Sequence, residues 1–132
     1  MVHTAAELQL LGLAVLIGVL HLFAQALSAR RQQGLKWAGG ARDKPMPVDG
    51  LAGRMERAFA NYRETFPLFA AAVIGCYLAG KLGPMTLWAS VAYVAARAVY
   101  IPLYAFGVRG LRSLVWAVSF VGIIVLLIRL AL

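Results

Sequence analysis

Four long apolar runs, at about Ala5–Ala29, Arg54–Gly80, Pro84–Gly107 and Leu111–Leu132, take up most of this 132-residue chain. A bilayer core about 30 Å thick takes roughly 20 apolar residues per helix, and each run is long enough. The chain is 62% hydrophobic with a mean hydropathy of +0.79, against about 45–50% apolar content in soluble domains. These features predict an all-α membrane protein, a bundle of four transmembrane helices. The connections are too short for a second folding unit, so residues 1–132 read as one domain. No Lys or Arg precedes the first run, and that run exceeds the roughly 7–15 residues of a signal peptide's apolar core. It is expected to stay as a helix.

The net charge of +8 is arranged by side. Arg30, Arg31, Lys36, Arg42, Lys44 and Arg54 flank the first connection, and Arg109 and Arg112 the third; Lys81 and Arg129 lie on the opposite side. The positive-inside rule then puts the loop "RRQQGLKWAGGARDKPMPVDGLAG" in the cytoplasm and both termini outside it. The basic residues are also placed to meet anionic lipid headgroups. Because they are divided among apolar spans, with no recognition fold, nucleic acid is not a partner. Within the loop, the Gly39-Gly40 pair, Pro45, Pro47 and Gly50 are turn chemistry, Trp37 suits the membrane interface, and Asp49 is a candidate cap for the second long helix.

The second run carries charge. On a helix Arg57, Asn61 and Glu64 fall at i, i+4 and i+7, within about 60° of one another, with Arg54 one turn earlier. Arg63 points about 120° away, where it can snorkel. The third run repeats the device with Arg97, Tyr100 and Tyr104, and Pro102 in the same run frees a carbonyl one turn earlier. A charge at a helix centre costs about 2.5–3.5 kcal/mol on the insertion scale, whereas each Leu, Ile, Phe or Val returns about 0.3–0.6. The stripes must therefore face protein, water or a ligand. They could satisfy each other, with Glu64 paired to Arg57 or Arg97. As a site, their excess of basic over acidic groups suits an anionic molecule that also carries a cationic group for Glu64 and amide groups for Asn61 and the tyrosines. A small zwitterionic peptide meets that description.

"RAFANYRETFPLF" resembles the signature of the membrane-associated proteins in eicosanoid and glutathione metabolism, in which R-x-x-x-N-x-x-E-x-x-P is met by Arg57, Asn61, Glu64 and Pro67. The third-helix pattern R-x-x-Y-x-x-x-Y is met by Arg97, Tyr100 and Tyr104, and "LRS" by Leu111, Arg112 and Ser113; "SARR" closes the first run. The likeness covers the whole chain, with the motifs in order. It implies a homotrimer that binds glutathione between subunits near the cytoplasmic side and reacts it with lipophilic electrophiles or hydroperoxides, as a glutathione transferase or peroxidase. By resemblance Arg57, Asn61, Glu64, Arg97, Tyr100 and Tyr104 bind the tripeptide, Arg30 or Arg31 meets one of its carboxylates, and Arg112 with Ser113 stabilises the thiolate. The likeness is to bacterial-type members, which implies an inner membrane. Thr65 stands where some members carry a tyrosine and Ala60 where others carry an arginine, so those two contacts do not transfer.

Two other classes compete. A binding or scaffold member would keep the glutathione site without turnover. A small proton-coupled multidrug exporter also has four short spans, but it needs a carboxylate in the middle of the first helix, and Glu7 stands at the helix edge, where an interfacial position is expected. His21 has no second ligand at metal spacing and reads as an interhelical hydrogen-bonding group. No metal is expected. Trp88, Trp116 and Tyr93 read as packing or interface residues and Cys76 as a small core residue.

Overall fold

The computed structural model describes residues 5–132, and helices are the regular secondary structure among them. Its elements are α1 (Ala6–Gln33), the single turn α2 (Leu35–Ala38), α3 (Gly50–Leu78), α4 (Pro84–Ala105) and α5 (Leu111–Ala131). At 1.5 Å per residue, α4 and α5 are each a little over 30 Å long, while α1 and α3 reach roughly 42 Å. Three of them, α1, α4 and α5, are long and apolar enough to cross a membrane. The fourth long helix, α3, matches them in length but carries Arg54, Glu56, Arg57, Arg63 and Glu64.

The boundaries differ from the apolar runs where polar residues continue a helix. α1 extends through Arg30 and Arg31 to Gln33, and stops at Gly34, whose φ of 84° is a conformation side chains disfavour. α3 starts four residues before Arg54, at Gly50. Asp49 holds the N-cap position without a capping bond; its carboxylate instead accepts from Gln32, and its N–H donates to Gln32 Oε1 at 2.9 Å. Gln33 Nε2 donates to Met46 O at 2.5 Å. The long loop is thereby tied back to the end of α1, which sets the start of α3.

The central pair is α3 and α4. Both pack on α1 and on α5, while α1 and α5 do not meet. Phe69 on α3 stacks on Tyr93 of α4 with ring centroids 4.0 Å apart, and Val73, Ile123 and Leu126 complete the apolar core. Gly122 lets α5 approach α4 closely, since a Cβ there would lie 2.7 Å from Ala89 O. Cys76 is buried, its Sγ 3.4 Å from Leu126 O.

Two expectations are corrected. Glu7 is buried, 5% exposed, rather than interfacial: Thr86 Oγ1 of α4 donates to its Oε1 at 2.7 Å. A carboxylate withdrawn from water needs such a donor. His21 is buried but makes no interhelical hydrogen bond through Nε2; its ring stacks on Tyr62 at 4.9 Å, and the Tyr62 hydroxyl donates to the Ala14 carbonyl on α1.

Candidate functional site

At the end of the bundle nearest the α4–α5 turn, two clefts lie side by side between α3, α4 and α5. The deeper, of about 460 Å³, is lined by Asn61 of α3, Tyr100 and Tyr104 of α4, and Arg112, Ser113 and Trp116 of α5. The outer, of about 380 Å³, is lined by Arg54 and Arg57 of α3, Arg109 of the turn, and again Tyr104 and Arg112. Tyr104 and Arg112 line both, so the two clefts are neighbours. Four arginines converge there, and no carboxylate lines either cleft.

Helix periodicity puts these groups together. Arg54, Arg57 and Asn61 are successive turns of one face of α3, and Tyr100 and Tyr104 of one face of α4. The turn after α4 uses Gly107 at φ 69° and Gly110 at φ 78°, left-handed conformations that favour glycine, to reverse the chain. Arg109 is thus held in the turn and Arg112 in the first turn of α5. The Arg112 guanidinium lies 4.5 Å from the Tyr104 ring centroid, a cation–π contact. Arg54 Nε donates to Ala105 O at 3.1 Å, pinning α3 to the end of α4. The first turn of α5 has no side-chain cap, and the positive end of the helix dipole lies beside Arg112 and Ser113.

Arg97 stands behind the clefts. It is fully buried, 0% exposed, and lines neither cleft. Its Nη1 donates to Asn61 Oδ1 and its Nη2 to Thr65 Oγ1, each at 2.8 Å. The guanidinium carbon lies 5.6 Å from the Tyr93 ring centroid and 5.2 Å from that of Tyr100. Glu64 is not among its partners; it is exposed on α3. The self-paired arrangement of Glu64 with Arg97 is therefore not what forms.

Of the residues read from sequence, Arg57, Asn61, Tyr100, Tyr104, Arg112 and Ser113 are brought together at the clefts. Glu64, Arg30 and Arg31 are exposed and line neither cleft within one chain. Arg63 is on another face, over the Phe59 ring at 5.1 Å, beside an apolar groove formed with α1. Three further residues bear on the clefts. Trp116, which the sequence reads as a packing or interface residue, also lines the deeper cleft; its spacing of one helical turn from Arg112 is the signal that could have found it. Arg109 is exposed in the α4–α5 turn and lines the outer cleft. Thr65 holds Arg97, and a lone hydroxyl carries no pattern that would have shown this.

Among the described residues no group of His, Cys, Asp and Glu is placed to hold a metal ion. The sequence matches the profile of the MAPEG family over residues 10–132, nearly its whole length. No curated protein matches the chain.

Proposed function

Since the chain belongs to the MAPEG family, we propose that it binds glutathione across the two neighbouring clefts and uses it as a nucleophile toward lipophilic electrophiles or hydroperoxides. The observation that carries this reading is the gathering of Arg54, Arg57, Arg109 and Arg112 with Asn61, Tyr100 and Tyr104 on two neighbouring clefts. Glutathione brings two carboxylates, one ammonium, two peptide groups and a thiol. The outer cleft suits a carboxylate on Arg57, and the deeper one suits the peptide groups on Asn61 and the tyrosine hydroxyls. The thiol belongs at Arg112 and Ser113, where a guanidinium and the start of a helix favour the anion. In conjugation the thiolate sulfur forms a bond to the electrophilic carbon, and the displaced group or opened oxygen takes a proton. With a hydroperoxide, two glutathiones are oxidised to the disulfide while the substrate is reduced to an alcohol and water. The second substrate enters from lipid; an apolar groove along α4 and α5 shares Ala117 with the deeper cleft.

In this reading α3 is the fourth span of a single domain, and the protein is a homotrimer of the inner membrane with both termini outside the cytoplasm. The support is energetic. Arg57 and Glu64 are exposed on an isolated chain, and a charge facing hydrocarbon costs about 2.5–3.5 kcal/mol. A second copy covering that face removes the penalty, and its α1 would bring Arg30 or Arg31 of the partner subunit toward a glutathione carboxylate. Glu64 would then meet the ligand's ammonium. Calorimetry of the detergent-solubilised protein tests the reading: saturable glutathione binding with a thiolate band in the ultraviolet supports it, and no binding contradicts it.

A further inference from the structure

The contact between Arg97 and Asn61 is chemically one-directional. A guanidinium has five N–H donors and no acceptor, so the Asn61 atom 2.8 Å from Nη1 is the carbonyl oxygen Oδ1. The amide nitrogen must point the other way. Among the described residues the buried side-chain polar atoms without a partner are His21 Nε2 and Arg97 Nε, so Asn61 Nδ2 is not sealed in the core. It opens to the deeper cleft, which Asn61 lines. Arg97 itself is locked: Thr65 Oγ1 takes its Nη2 at 2.8 Å, and the Tyr93 hydroxyl lies 3.3 Å from that same Thr65 oxygen. The Tyr93 and Tyr100 rings lie beside the guanidinium.

We propose that Arg97 is a positioning residue that never touches the ligand, and that it fixes the Asn61 amide so that Asn61 presents only N–H donors to the cleft. This rests on the reading of the cleft as a glutathione site and deepens it. A free asparagine amide can turn through half a circle and meet either a donor or an acceptor. With Oδ1 held by a buried cation, the second orientation would aim two N–H groups at a guanidinium and leave a desolvated charge without its acceptor. Asn61 therefore selects an acceptor oxygen on the ligand, a peptide carbonyl or a carboxylate, and rejects a peptide N–H. A lysine at position 97 could not do this, since one ammonium cannot reach Asn61 and Thr65 with the forked geometry of a guanidinium.

A double-mutant cycle on glutathione affinity tests the assignment, using detergent-solubilised wild type, Asn61→Ala, Arg97→Lys and the double variant, each checked for an unchanged oligomer size. Each single change is expected to weaken binding at least about tenfold. The double variant should be no more than about twofold weaker than Asn61→Ala, because Arg97 acts only through Asn61. At saturating glutathione the thiolate band of Arg97→Lys should match wild type, a readout that general loosening of the fold would not spare. Losses that multiply would put Arg97 on the ligand directly and overturn the proposal. Asn61→Asp supplies an arm that needs no ligand: its carboxylate pairs with Arg97, so the thermal midpoint should stay at or above wild type while glutathione binding collapses. A midpoint as low as that of Asn61→Ala would refute the Arg97–Asn61 contact. If wild type failed to bind glutathione, the glutathione reading and the role built on it would fall, and the midpoints would still report separately on the contact.

Discussion

The guanidinium of Arg112 lies 4.5 Å from the centroid of the Tyr104 ring, and both residues line both clefts. The ring thus sets where the cation stands, and the hydroxyl is a separate feature. Tyr104→Phe keeps the stacking and should cost only one hydrogen bond to ligand, about 0.5–1.5 kcal/mol. Tyr104→Leu removes the face as well and adds about 0.5–2 kcal/mol, read as a weaker thiolate band. Equal effects of the two on that band would show that Arg112 does not depend on the ring.

The two faces of α3 separate in the same assay. Arg57 lines the outer cleft, whereas Arg63 sits over Phe59 on another face. Arg57→Ala and Glu64→Gln should each weaken glutathione binding by about 2–5 kcal/mol, the usual loss when one partner of a buried charged pair is removed. Arg63→Ala should change it by less than about 0.5 kcal/mol. Calorimetric titrations decide; a loss with Arg63→Ala as large as with Glu64→Gln would reverse the assignment of faces.

At the other end of the bundle, Thr86 Oγ1 supplies the hydrogen bond to buried Glu7. Thr86→Val is close in shape but leaves the carboxylate without that donor. It should lower stability by about 1–3 kcal/mol and leave glutathione affinity unchanged. Thermal unfolding in detergent measures the first, calorimetry the second, and an unchanged midpoint would mean that Glu7 finds another partner.

The basic asymmetry predicts topology. Reporter fusions at Gly39 and Arg109 should be cytoplasmic and fusions at both termini external, with α3 spanning between them. A cytoplasmic C-terminus would remove α3 as a span.

How far the sequence could be read follows from what each feature depends on. Long apolar runs and the 3.6-residue period are local, so four long helices and the stripe of Arg57 and Asn61 facing Tyr100 and Tyr104 were legible. Polar extensions such as Arg30 to Gln33 were not, because they become helical through the continuing helix and the Gln32–Asp49 and Gln33–Met46 ties. The partners of Glu7 and Thr65 were not legible for a related reason. Glu7 meets Thr86, and Thr65 meets Arg97, partners on another helix that no single-helix pattern reveals. Trp116 shows the reverse: its one-turn spacing from Arg112 was visible, but only the α4–α5 packing shows that a cleft lies there.

Arg112 is proposed to hold glutathione as a thiolate. A free thiol has a pKa of about 8.5; lowering it to about 6.5 requires roughly 2.7 kcal/mol of preference for the anion, at about 1.36 per unit. One guanidinium at about 4 Å in an effective dielectric of about 20 supplies roughly 4 kcal/mol, which is enough. Because the cation lowers the bound thiol's pKa, wild type should hold the thiolate at neutral pH and lose it only as pH falls through the lowered value. The decisive measurement is the ultraviolet thiolate absorbance of the glutathione complex against pH for wild type and Arg112→Ala. The variant should show no band at neutral pH, a band returning only as pH rises toward about 8.5, and an affinity within about tenfold of wild type. A variant with the wild-type titration and turnover would contradict it and shift thiol activation to Arg109 and the tyrosines.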